Sequence, residues 1–237
     1  MPRPAAALLA AALALAPLVA GADPSPEVRA LVKQCVAAYG GPAALAKLGR
    51  VRQDGRVSST VLHPGEPGRI ARVAERPGRL RVEILYPGTP VEVRVLAAGR
   101  GWRGGAEVQG PALAAMVLQA ARLQLPALLA AAAGELRDAG TWALEGATLR
   151  VLSLELAPGV VIEAGLDPAT GRILRSRGTA AGPMPLEFVT TFGDFRVVEG
   201  VLVPFREGNW ANGSPTGDTV LTRVAFPDAF PPGLFAP

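Results

Sequence analysis

The sequence predicts an α+β protein that is mainly β: a large curved antiparallel sheet forming an incomplete barrel, closed by an N-terminal helix and a central pair of short apolar helices. Three observations carry this. The apolar residues change period from three and four to two near Val51, they change back between Pro111 and Ala133, and period two then resumes to the end of the chain.

The opening helix is read from Pro26 and from the stripe Val28, Leu31, Val32, Cys35, Val36, Tyr39. Proline has no N–H to lose in a first helical turn, and Gly40-Gly41 supplies the stop. Pro42 starts a second short helix. The stretches Arg50 to Leu62, Arg69 to Glu75, Arg79 to Tyr86 and Val91 to Ala97 then alternate as strands do. Leu80, Val82, Ile84 and Tyr86 share one face, while Arg79, Arg81 and Glu83 share the other. One side therefore meets a core and one meets water. Pro77-Gly78 and Pro87-Gly88 are turns. The glycine-rich run Gly99 to Gly105 reads as a loop or hinge.

Leu113, Met116, Val117, Leu123, Leu125, Leu128 and Leu129 lie among alanines with Pro126 between them, which gives two helices apolar nearly all round and hence buried. Arg122, Gln119, Gln124 and Pro126 argue against a transmembrane hairpin. Strands return at Thr141 and continue as Leu149 to Leu156, Val160 to Leu166, Arg172 to Arg177, Leu186 to Phe192, Phe195 to Val198, Val201 to Asn209 and Thr219 to Phe226. Asp167 to Gly171 and Glu199-Gly200 have hairpin-turn chemistry. A sheet of about ten strands curls, and its concave apolar face has to be filled or hold a ligand. The apolar helices are the natural plug.

At the start, Arg3, the uncharged run Ala5 to Val19 and Ala20-Gly21-Ala22 have the pattern of a cleaved secretory signal peptide over residues 1–22. A membrane anchor needs roughly 20 apolar residues, and Pro17 interrupts this run. Residues 23–237 then form a single domain that works outside the cytoplasm, in the periplasm of a bacterium, and is not transmembrane after cleavage. The net charge of +4, with Lys33 and Lys47 the only lysines, reflects an arginine-rich composition. The arginines are spread singly along alternating strands, so no nucleic-acid partner is implied. Cys35 is the single cysteine, so no intramolecular disulfide forms, and its stripe marks it as packing rather than a reactive thiol.

The chemistry of catalysis is missing. One histidine, His63, excludes a zinc site and stands beside a turn, and no G-x-S-x-G elbow, phosphate-cradling loop or dinucleotide fingerprint appears. The carboxylates Glu75, Glu83, Glu92, Glu155, Glu163, Asp194 and Glu199 mostly alternate with apolar neighbours, as charges on a wet sheet face do. Asp194, between Phe192 and Phe195, is the one whose partial burial against an arginine is expected. The sequence thus predicts no enzyme, no metal and no cofactor.

Two stretches carry a resemblance. Tyr39-Gly40-Gly41-Pro42-Ala43-Ala44-Leu45 before a strand at Val51 is one. The other is Asp167 to Arg172 with Phe192 to Pro204 and a closing Phe226 to Pro237. Together they resemble outer-membrane lipoprotein-sorting proteins, the superfamily of the periplasmic lipoprotein carriers, over nearly the whole mature chain. The resemblance implies a lipoprotein-carrier-like half-barrel whose helices close over an apolar cavity, with lipid or lipoprotein acyl chains as partners. It also implies a lid held shut by an inner-strand arginine, for which Arg56, Arg69, Arg72 and Arg94 stand open.

The expected function is a non-catalytic, monomeric binding protein for a lipid or lipoprotein acyl chain, serving sorting, transport or chaperoning. The expected lining is Leu80, Val82, Ile84, Trp102, Leu113, Met116, Val117, Leu125, Leu128 and Leu129. The alternative is an interaction or regulatory module with a filled core that docks on an envelope protein partner.

Overall fold

The structure is a computed structural model that describes residues 25–61, 63–183 and 185–237. The signal-peptide reading of residues 1–22 and the end of the first predicted strand at Leu62 lie outside them.

Among the described residues four helices and thirteen strands follow one another in chain order. Helices α1 (Pro26–Ala38) and α2 (Gly41–Lys47) precede strands β1 (Arg50–Val57), β2 (Gly68–Glu75), β3 (Arg79–Leu85), β4 (Glu92–Ala97), β5 (Arg100–Arg103) and β6 (Ala106–Val108). Helices α3 (Gly110–Leu123) and α4 (Leu125–Ala131) follow. Strands β7 (Arg137–Leu144), β8 (Ala147–Ala157), β9 (Val160–Leu166), β10 (Ile173–Ala180), β11 (Leu186–Val198), β12 (Val201–Ala211) and β13 (Ser214–Ala225) complete the chain.

All thirteen strands form one antiparallel sheet in the order β6-β5-β4-β3-β2-β1-β13-β12-β11-β10-β9-β8-β7. Each half of the chain is a meander, because strands adjacent in sequence pair with each other, and among the described strands the two meanders are joined where β1 pairs with β13. The outermost strands are β6 and β7, so the α3–α4 connection must run from one edge to the other. It does so across the inner face.

The lengths require a curl. Helix α3 touches both β4 and β9, which stand eight strand spacings apart in the sheet. On a flat sheet that is about 38 Å at ~4.8 Å per strand, whereas fourteen helical residues span about 21 Å. The sheet is therefore a half-barrel, with α3 and α4 inside it. The main core lies there and includes Leu80, Val82, Leu96, Met116, Leu129, Leu152, Ile162 and Leu166. A second cluster on the outer face joins Val73, Val95 and Phe235, with Trp102, Phe230 and Leu234 packed against it, so the C-terminal tail covers that face.

Helix α1 begins where Ser25 Oγ accepts from Val28 N at 3.2 Å, and it buries Val28, Leu31, Val32 and Cys35. The turns that carried the family resemblance meet around it. Gln34 Nε2 donates to Pro168 O at 2.6 Å, Tyr39 Oη accepts from Ile173 N at 3.2 Å, and Lys47 Nζ donates to Glu199 O at 2.7 Å. Gly40, at φ +98°, lies so close to Gly200 that a Cβ would sit 2.1 Å from its carbonyl oxygen. The distant signatures are two sides of one joint.

Three readings of the sequence are corrected. The glycine-rich run is not a hinge: it contains β5 and leads into β6. Gly101 is small because a Cβ there would meet Met116 Sδ at 2.9 Å, so glycine lets α3 approach the sheet. The two predicted strands around Phe192 and Phe195 are one long β11, which passes Asp194 at φ +50° without losing its pairing to β12. Asp194 itself is not packed between the phenylalanines but exposed, paired with Arg196 at 2.6 Å.

The Gly40 joint gives a paired prediction. Gly40→Ala should lower unfolding stability by more than about 1 kcal/mol, combining a positive φ with collision against Gly200. Gly41→Ala, at φ +85° with open space around it, should cost less. Urea denaturation of the two variants distinguishes them.

Candidate functional site

The inner face is largely apolar, and a diagonal of buried polar side chains crosses it beside the candidate site. On β12 the inward positions run Val201, Val203, Phe205, Glu207, so a carboxylate occupies the apolar register and is buried. On β2, Arg72 follows Ile70 in the same way, and on β1, its cross-strand partner Gln53 follows Val51. Arg72 reaches over β1 and β13 to Glu207, with Nη2–Oε1 at 2.5 Å and Nη1–Oε2 at 2.9 Å, and its Nε donates to Gln53 Oε1 at 2.6 Å. The two side chains are 1% and 4% exposed. A bidentate pair satisfies the guanidinium fork, which is what makes burial of both charges tolerable.

A second arginine enters from above. Arg122, in the last turn of α3, donates through Nη1 to Thr190 Oγ1 and to Asn209 Oδ1, the latter at 2.8 Å. Its Nη2 stands 3.8 Å from Glu207 Oε2. Burial would raise the Glu207 pKa, but Arg72 and Arg122 overcome it and hold the carboxyl below its ordinary range. For Arg122 burial dominates and pulls its pKa down, against the pull of Glu207. Gln124, at the elbow between α3 and α4, donates to Leu48 O at 2.7 Å, and Arg76 donates to Ala127 O at 3.1 Å. The C-terminal end of α3 and all of α4 are thereby tied down.

The N-terminal part of α3 roofs a cavity of about 290 Å³. Ala112, Ala115, Met116, Gln119 and Arg122 face it from the helix, spaced at three and four residues. The sheet contributes Ile162, Ser176, Gly178, Phe188, Thr190, Asn209 and Trp210 from one arm and Arg94 and Arg103 from the other. A smaller cavity of about 40 Å³ lies on the other side of Arg122, lined by Tyr39, Gln53, Leu125, Phe192, Leu202 and Glu207 among others. Arg122 borders both.

Of the expected lining residues, Met116 lies at the larger cavity and Leu125 at the smaller. Leu80, Val82 and Leu129 are packed solid in the main core, and Ile84, Leu113, Val117 and Leu128 pack against it. Trp102 is on the outer face beside Val95, its cross-strand partner, under the tail residue Phe235. The sequence reading missed Arg122, Glu207, Ser176, Thr190, Asn209 and Trp210. Glu207 had a signal: it stands in phase with Val201, Val203 and Phe205. Of the four arginines held open, Arg72 is buried and Arg94 lines the cavity, while Arg56 and Arg69 are exposed.

The side chains weighed as catalytic candidates in the sequence have structural partners or are buried. His63 stacks on Tyr86 at 4.1 Å, and the Cys35 thiol is pushed up to about 12 by burial. Glu75, Glu83, Glu92, Glu163 and Glu199 pair with basic side chains, and Glu155 accepts from Gly159 N. Among the described residues no three His, Cys, Asp or Glu side chains come together to hold a metal. No single described helix is long and apolar enough to cross a membrane. The α3–α4 pair meets the length and composition but is bent by 86°, and α3 buries Met116, Leu118, Ala120 and Leu123 within the fold.

No protein-family model matches the chain, and no curated protein matches it. Solved structures do. A LolA-superfamily protein from Nitrosomonas europaea is similar at a TM-score of 0.58 and 10% identity, covering 89% of this chain and 97% of that one. An outer membrane lipoprotein-sorting protein domain from Vibrio parahaemolyticus is similar at a TM-score of 0.47 and 8% identity, covering 87% and 95%. A DUF1329 family protein from Desulfovibrio piger is similar at 0.49 and 9%, covering 88% and 96%. The first carries the assignment: the fold is LolA-like, as the turn signatures indicated.

Glu207→Gln should destabilise the protein by about 3–5 kcal/mol, because it leaves the Arg72 cation buried without its counter-ion. A double Arg72→Met/Glu207→Leu variant should recover most of that loss in chemical denaturation. Since the folded-state pKa of Glu207 is depressed, the pair's contribution is complete above the unfolded carboxylate value of about 4.3 and disappears as pH falls below it. The stability of the double variant should therefore depend less on pH in the acid range than that of the parent.

Proposed function

We propose that this chain is an exported, non-catalytic binding protein of the bacterial periplasm. In this reading the cavity beneath α3 receives the acyl chain of a lipid or lipoprotein. The observation that supports it best is the cavity itself: about 290 Å³ between one face of α3 and the concave sheet. That is at the lower end of the ~300–1,000 Å³ typical of small-ligand pockets, a size suited to one chain rather than several. The LolA-like fold agrees with a carrier role.

Affinity would come from burial. Each methylene removed from water contributes about 0.8 kcal/mol, partly offset by the motion the ligand loses. Met116, Leu118, Ile162 and Phe188 supply the apolar contacts. Helix α3 is held at its C-terminal end by Arg122 and by Gln124 behind it, whereas the end at Gly110 has no side-chain cap. Entry is therefore assigned to the Gly110 end.

Native mass spectrometry, with lipid extraction, of protein purified from a periplasm without detergent tests the reading. Discrete added masses that extract as acyl lipids should appear. They should fall in Ala115→Trp, which fills the cavity from a half-buried position, and in Met116→Trp. A bare protein mass under several lipid loads would overturn the reading in favour of a filled core that docks on a partner protein.

A further inference from the structure

The larger cavity is lined by three arginines, Arg94, Arg103 and Arg122, and by no carboxylate among the described residues. The carboxylates behind it are too few. Glu92 is shared by Arg94 at 2.6 Å and Arg103 at 3.1 Å, and Glu207 by Arg72 at 2.5 Å and Arg122 at 3.8 Å. Four guanidiniums thus face two carboxylates. The surplus is not evenly hydrated: the side chains of Arg103 and Arg94 are 54% and 30% exposed, that of Arg122 only 16%.

Arg122 is the member that requires an explanation. Its partners at Nη1 are the neutral Thr190 and Asn209, its contact with Glu207 is beyond hydrogen-bond distance, and its buried Nε has no hydrogen-bond partner. The nearest full counter-charge already satisfies Arg72 through two short bonds. A buried cation and an unsatisfied donor are each costly unless an acceptor reaches them. The same guanidinium borders a cavity with apolar walls at Met116, Leu118, Ile162 and Phe188.

We infer that the cavity selects single-chain amphiphiles bearing one anionic oxygen head group, with the anion against Arg122 and the chain along the apolar wall of α3 and β9 to β11. The inference rests on the carrier reading above and specifies its ligand. Arg94 and Arg103, nearer the water, attract the head group on approach, and Arg122 supplies the dry contact that distinguishes it from a neutral one. A carboxylate and a phosphate both meet this requirement.

Isothermal titration calorimetry with decanoate, decyl phosphate and decanol separates the cases. At least one of the two anions should bind about 10- to 100-fold more tightly than decanol, the worth of a charge-assisted hydrogen bond in a dry site, and the tighter of the two identifies the head group. Arg122→Gln should bring that ratio close to one, and Arg122→Lys should restore part of it. Arg94→Gln/Arg103→Gln should slow association of the anion and flatten its salt dependence. Equal binding of all three ligands by the parent protein would overturn the head-group assignment and leave the carrier reading standing. Binding of none would overturn both. The parent's ratio decides the matter even if Arg122→Gln does not fold.

Discussion

The ion pair between Arg72 and Glu207 is the interaction on which the inside of the half-barrel is organised. The chain consists of two meanders that share a sheet through the β1–β13 pairing, and the pair reaches across that seam from β2 to β12. Two charges at 1% and 4% exposure are tolerable only in a fixed bidentate geometry. The pair therefore braces, from the inner face, the seam that the β1–β13 ladder makes. It also sets the electrostatics above it. With Glu207 committed to Arg72, the guanidinium of Arg122 stands 3.8 Å from that carboxylate and directs its hydrogen bonds to the neutral Thr190 and Asn209.

The curvature of the sheet explains why there is anything above the pair at all. The connection between the two edge strands has to cross the inner face, and an apolar helix pair is a form of backbone that buries there without orphaned polar groups. Helix α4 and the C-terminal end of α3 pack solidly, tied by Arg76, Gln124 and Arg122. Gly101 and Gly178 let Met116 and Leu118 of α3 pack directly onto the sheet, and the cavity opens beside these contacts, where α3 presents Ala112 and Ala115. The site is thus a product of where glycines and alanines fall on facing elements, with polar groups at one border.

Much of the fold was legible because it is written in period. The switch from helical to alternating spacing located the strands, and the prolines at 26, 42, 111 and 126 marked four helix starts. The expected filling of the concave face by the central helices is what the fold contains. Where the reading failed, glycine and polar residues had been taken at face value. Gly101 is a strand residue chosen for close packing, and the run around it pairs in β5 and leads into β6. The site was less legible for a related reason. Apolar residues such as Leu80, Val82 and Leu129 are the ones periodicity finds, and these are the filled core. Trp102 alternates with Gly101 and belongs to the outer face, a parity that could be read only once the run was recognised as a strand. The residues that give the larger cavity its character are polar ones such as Arg94, Arg122, Ser176, Thr190 and Asn209, and behind them Arg72 and Glu207 stand buried in inward register. Their signal was an interruption of an apolar series, and interruption looks like an exposed face until the sheet is closed around it.

The most direct measurement of the central claim, that the space beneath α3 is a ligand site and not a packing defect, is a crystal structure of the protein purified from its native cells without detergent. The account predicts continuous elongated density between α3 and the inner faces of β9 to β11, with its polar end against Arg122 and its other end toward Ala112 and Trp210. An α3 settled directly onto Ile162 and Phe188, with Arg122 turned to solvent or to Glu207 and no ligand between, would contradict it.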